Sequence, residues 1–122
     1  SDDIVTIEDG VVFRIRGGRG YDTVELASGV ALAVEPAEPR VRGIERIRLA
    51  ADGTASLTMS EPGLRRLSPS TNTLVVEGSG GQLTLTSGEW TGPQQEGDAW
   101  VYRSQVSDAL LRVSTGIEVT LP

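Results

Sequence analysis

Gly17-Gly18-Arg19-Gly20-Tyr21-Asp22-Thr23-Val24-Glu25 constrains this chain more than any other stretch. Its glycines let the backbone turn tightly and bring carbonyl oxygens close to an ion. Asp22 adds a hard anionic oxygen, the ligand type that calcium takes. Val24 then opens a short strand whose side chain points inward. Asp22 with the carbonyls near Gly18 and Gly20 is therefore a candidate cation site. The plainer reading is a glycine turn closed by an aspartate hydrogen bond. Calcium takes about 6–8 oxygens, so one such loop needs a neighbour.

Ser1 to Ile7 supplies a degenerate neighbour. Asp3 aligns with Asp22, Val5 with Val24 and Ile7 with Leu26, at an offset of 19 residues. Asp3 is thus the further candidate ligand. Beyond Leu26 no repeat persists.

The rest of the chain is a series of strand patterns separated by turn residues. Val30, Leu32 and Val34 alternate with Ala31 and Ala33; Ile47 and Leu49 with Arg46 and Arg48; Leu57 and Met59 with Ser56 and Thr58. Thr73 to Glu77, Leu83 with Leu85, Trp100 with Tyr102, Leu111 with Val113, and Ile117 to Leu121 continue the pattern. Ser60 to Ser68 reads as one short helix, capped by Ser60 and closed by Pro69. Thr91 to Asp98 reads as a polar loop, and Asp52-Gly53 as a turn.

Residue types exclude much chemistry. The chain has no histidine, cysteine or lysine. A disulfide framework, a zinc or copper site of the usual kind, a serine triad and a Ser-Lys dyad are all ruled out. Only carboxylates, hydroxyls and arginine remain, and no carboxylate pair can be placed for glycoside hydrolysis. No enzyme activity is expected. The net charge of −6 argues against nucleic acid as the main partner. No apolar run approaches bilayer-spanning length, so no membrane insertion is expected.

Gly17 to Glu25 resembles the repeats-in-toxin motif of calcium-binding proteins exported by type I secretion. The chain beyond Glu25 resembles a module of very large bacterial surface adhesins. The phrases that carry the likeness are Gly43-Ile44-Glu45-Arg46-Ile47-Arg48-Leu49, then Ala55 to Met59, then Asn72-Thr73-Leu74-Val75-Val76-Glu77-Gly78. Gln82-Leu83-Thr84-Leu85, Gly88-Glu89-Trp90-Thr91 and Tyr102 come next, in that order. The resemblance implies a secreted or cell-surface protein, calcium as the bound ion and a structural or adhesive role. The turn from Glu77 to Gln82 departs from the aspartate-rich turn common in such modules, so no second cation site is expected there.

The expected fold is all-β in a single module, 1–122. Residues 1–29 are read as degenerate β-roll coils. Residues 30–122 are read as a β-solenoid or irregular β-sandwich with one short helix and a β cap. The last strands are expected to pack over the faces of Leu74/Val76 and Leu83/Leu85. Strand-like sequence near both ends suggests a piece of a longer exported chain. Its expected neighbours are other domains of that chain, with a cell-surface glycan or protein as a further partner. A monomer is expected.

A competing function is a carbohydrate- or partner-binding module. It would use Trp90, Gln94, Gln95 and Trp100 with the 91–98 loop. In a domain with so few aromatics, at least one tryptophan is expected in the core. The pairs Arg40/Arg42 and Arg46/Arg48 read as solvent faces balanced by Glu25, Glu45 or Glu77.

Overall fold

The computed structural model describes residues 4–7, 15–16, 22–34, 41–42, 44–50, 52–60, 62, 73–86, 88–105 and 108–122. Within them lie thirteen strands: β1 (Ile4–Ile7), β2 (Ile15–Arg16), β3 (Thr23–Leu26), β4 (Ala31–Val34), β5 (Val41–Arg42), β6 (Arg46–Leu49), β7 (Ser56–Met59), β8 (Thr73–Glu77), β9 (Gln82–Leu85), β10 (Trp90–Glu96), β11 (Ala99–Ser104), β12 (Leu110–Ser114) and β13 (Glu118–Thr120). The all-β expectation holds for these residues. The expected helix falls almost wholly on residues outside them. No helix of the described residues is long and apolar enough to cross a membrane.

A seven-stranded sheet runs in the order β1-β3-β6-β8-β12-β11-β10. A four-stranded sheet runs β13-β9-β7-β4, and β2 pairs with β5 in a third. From β3 onward the chain alternates between the two larger sheets. It lies in the seven-stranded one at β3, β6, β8 and β10–β12, and in the four-stranded one at β4, β7, β9 and β13. Of these, β3-β6-β8-β12 and β4-β7-β9-β13 pair in parallel, as do β1 and β3. Parallel strands cannot be joined by a tight hairpin. From β3 onward, the chain therefore returns to a parallel neighbour only after a passage through the other sheet.

The alternation seen in the sequence explains the core. Val24, Ile47, Val76 and Val113 occupy one row across four strands of the larger sheet. Leu32, Leu57, Leu83 and Val119 form the matching row in the smaller one. Both rows contribute to a single apolar core between the sheets. Over Ile4–Ile7 the alignment with Thr23–Leu26 is realised in register: Val5 pairs with Val24 and Ile7 with Leu26.

The last strands join the sheets by their edges: β13 pairs with β9, and β12 pairs with β8 and carries β11 beyond it. Edge pairing places Leu111 beside Leu74 and Val113 beside Val76, which buries the apolar rows and satisfies the backbone together. The antiparallel hairpin β10–β11 then extends the larger sheet. Residues 91–96, expected to form a loop, are most of β10. Gly92 and Pro93 are accommodated by a register shift between Thr91 and Gln94, as a proline on an edge strand requires. Gly92 has φ +113, and a Cβ there would lie 2.7 Å from the Val101 carbonyl oxygen.

The turns between sheets are stapled to one another. Asp52 accepts hydrogen bonds from the Thr54 amide at 3.1 Å and the Thr54 hydroxyl at 2.7 Å. The Thr54 hydroxyl in turn accepts from the Gly29 amide at 2.7 Å, tying the turn after β3 to the turn after β6. Hydrogen bonds from Ser28, then Thr54, lower the Asp52 carboxyl pKa below its ordinary 3.8. A carboxylate lowered on folding stabilises the fold above its unfolded pKa, and that contribution is lost as pH falls through the folded value. Asp52→Asn should therefore flatten the drop in melting temperature below about pH 4. An unchanged acid limb would show that this staple contributes nothing.

Candidate functional site

Of the four sequence-predicted cation ligands, Asp3, Gly18 and Gly20 lie outside the described residues. Asp22 stands immediately before β3 and is 1% exposed. Its partner is Glu45, a residue that the sequence pattern assigns to a solvent face. Glu45 precedes β6 as Asp22 precedes β3, and the parallel pairing of Thr23 with Arg46 sets the two side by side. The Asp22 amide donates to Glu45 Oε1 at 3.1 Å. The Asp22 carbonyl accepts from the Glu45 and Arg46 amides at 3.1 and 3.2 Å. Glu45 is itself buried.

A signal for Glu45 is present in the sequence. Sliding Gly43–Leu49 under Gly20–Leu26, a shift of 23 residues, sets Glu45 on Asp22, Ile47 on Val24 and Leu49 on Leu26. The side chains there are carboxylates, the hard oxygen donors of calcium rather than the nitrogen or sulfur of transition-metal sites. No group of three or more acidic, histidine or cysteine side chains positioned to hold a metal occurs among the described residues.

The second arginine pair is balanced as expected, with Glu25 and Glu77 beside it. Arg48 lies in register between Glu25 on β3 and Glu77 on β8. Arg46 Nε and Arg48 Nε each lie 3.4 Å from a Glu77 carboxylate oxygen, and Arg48 reaches Glu25 at 3.9 Å. Such partly exposed pairs are worth about 0–1 kcal/mol each. They set the face of the sheet more than its stability. They also occupy Glu77, in the turn where no second cation site is expected.

Trp100 pairs in register with Val113 and Gln95, and Trp90 with Ser104. Both indoles are partly buried and pack against the core. They stand on the inward side of the hairpin, with Tyr102 buried between β12 and β10. Gln94 and Gln95 are exposed. The four residues of the competing carbohydrate reading thus share one hairpin, but its tryptophans are turned toward the core and not laid on an open outer face. Burial raises the pKa of the Tyr102 hydroxyl. Set against protein families, curated proteins and solved structures, the chain matches none of them.

Proposed function

We propose that the chain is a non-catalytic structural module of a secreted or cell-surface protein, wound as a parallel β-solenoid and stabilised by calcium. The observation that carries this reading is the in-register parallel stacking of successive strands in two facing sheets. A fold of that kind builds length and stiffness, because each passage contacts mainly its neighbours. The nonapeptide, its degenerate copy and the buried Asp22–Glu45 pair support calcium as the ion. Asp22 and Glu45 would hold it from adjacent strand starts. Bound calcium would supply the positive charge that lets the acidic corners close after export, coupling metal to folding.

The test is thermal unfolding with and without millimolar calcium. The melting temperature should rise with calcium in the natural chain, and the rise should vanish in Asp22→Ala. Asp22→Ala will itself lower stability, so the quantity compared is the calcium-induced rise. An equal rise in the variant would move the site elsewhere. No rise in the natural chain would leave a structural module without calcium.

A further inference from the structure

Two Asp-Gly dipeptides occur in the chain, Asp9-Gly10 and Asp52-Gly53. The second lies in the stapled turn after β6 and carries a covalent chemistry of its own. The amide nitrogen that follows an aspartate can attack the side-chain carboxyl, and glycine has no Cβ to obstruct the approach. At this pair the Gly53 nitrogen would bond to Asp52 Cγ. The amide proton and the carboxyl hydroxyl would leave together as water, closing a five-membered succinimide. Water then adds to one of the two ring carbonyls. Opening on one side restores aspartate. Opening on the other leaves the main chain running through the Asp52 β-carboxyl, as isoaspartate. Water is the only other reactant, and the mass of the chain is unchanged.

Asp52, Gly53 and Thr54 are all exposed, so burial does not protect the pair. Hydrogen bonds do. The Gly53 amide donates to the Ala50 carbonyl at 3.3 Å, which engages the proton that the attack must release. Asp52 Oδ1 accepts from the Thr54 amide at 3.1 Å and the Thr54 hydroxyl at 2.7 Å. Such donors favour the ionised carboxylate, which has no hydroxyl to lose as water. Ser28 acts in the same direction from the neighbouring turn. The Thr54 hydroxyl is itself placed by the Gly29 amide, which donates to it at 2.7 Å. Ser28 and Gly29 precede β4, and Thr54 precedes β7. The two turns lie side by side only because β4 and β7 are paired, so the protection exists only in the folded chain.

We propose that Asp52-Gly53 is a latent isoaspartate site, held unreactive by the Ser28 and Thr54 hydrogen bonds that join the turns after β3 and β6. Conversion would add a methylene to the main chain at the turn and move the carboxylate away from Thr54. The tie between the two turns would then be lost, and refolding would not restore it. Residue 52 therefore keeps a covalent record of time spent unfolded. The inference is independent of calcium and of the role proposed for the module.

The full chain is kept for weeks at neutral pH, well below its melting transition. Isoaspartate at residue 52 is read by peptide mapping with a protease that cuts before aspartate and not before isoaspartate. Little is expected in the natural folded chain, whereas in denaturant Asp9 and Asp52 should convert at similar rates. Thr54→Val removes the hydroxyl bonds and should raise the folded-state rate roughly fivefold. Thr54→Ser keeps the hydroxyl and should stay near the natural rate. Circular dichroism on the same samples shows that each variant is folded. If Thr54→Val is not, Ser28→Ala takes its place, with an increase again expected. The proposal is overturned if the natural folded chain converts residue 52 as fast as the denatured chain. An unchanged rate in folded Thr54→Val, or in Ser28→Ala where that replaces it, overturns it too. Equal acceleration in Thr54→Val and Thr54→Ser also overturns it, since the hydroxyl would then not be the guard.

Discussion

Ending the chain at Ser114 should abolish cooperative unfolding and leave an aggregated or partly unfolded product. The deletion removes the buried Ile117, the partly buried Val119 and the whole of β13. It also removes the hydrogen bonds from the Ile117 amide to the Ser114 carbonyl and from the Glu118 amide to the Gly81 carbonyl. Fully burying one aliphatic side chain is worth about 1.5–3 kcal/mol. With Ile117, part of Val119 and the newly opened flank of Leu83, the loss reaches about 5 kcal/mol. That is comparable with the ~5–15 kcal/mol of a typical domain. The deletion also bares the edge of β9, a parallel strand with apolar Leu83 and Leu85, which is a template for association. Circular dichroism melting with size-exclusion chromatography checks this. A soluble monomer with a sharp transition near that of the full chain would show that the core closes without β13.

Gly81→Val should cost roughly 4 kcal/mol, by two independent routes. Gly81 has φ +110, a conformation that side chains with a Cβ rarely adopt, and holding a non-glycine residue there costs about 1–3 kcal/mol. A Cβ at this position would also stand 2.8 Å from Leu49 Cδ1, 3.0 Å from the Ala55 carbonyl oxygen and 3.2 Å from Leu49 Cβ. Leu49 and Ala55 belong to the buried core, so overpacking adds about 1–3 kcal/mol. Gly97→Ala is the control. Gly97 has φ +63 in the hairpin turn, but nothing lies within 4 Å of the added Cβ. It should cost only about 1 kcal/mol. Denaturant unfolding of both variants separates packing from backbone strain. Equal losses would mean that the contacts around Gly81 do not resist a side chain.

Individual strands are legible because each is short and alternates apolar with polar residues. The pairing of β1 with β3 is legible too, since Asp3, Val5 and Ile7 align with Asp22, Val24 and Leu26 without a gap. The next copy, at Glu45, is hidden because the segments between strands of one sheet differ in length from one passage to the next. Parallel register requires only that inward positions match inward positions along the strand. The length of chain spent between strands is free, so the repeat persists in the structure after it has faded from the sequence.

Other features could not be read from local pattern. Residues 91–96 carry Gly92, Pro93 and two glutamines, a composition that reads as loop. They form a strand because β11 offers a ladder and the edge tolerates a bulge. Glu45 reads as a surface partner for arginine, yet parallel pairing buries it against Asp22. By itself, then, the sequence determined most of the strands outside β10, the inward side of those that alternate, and which chemistries lack their side chains. Only the tertiary structure decided which strands are neighbours, that β12 and β13 extend the sheets by their edges, and that Glu45 is buried against the Asp22 backbone. The physical reason is that inward alternation is a property of single strands. Partner choice depends on the summed burial and hydrogen bonding of all the strands at once.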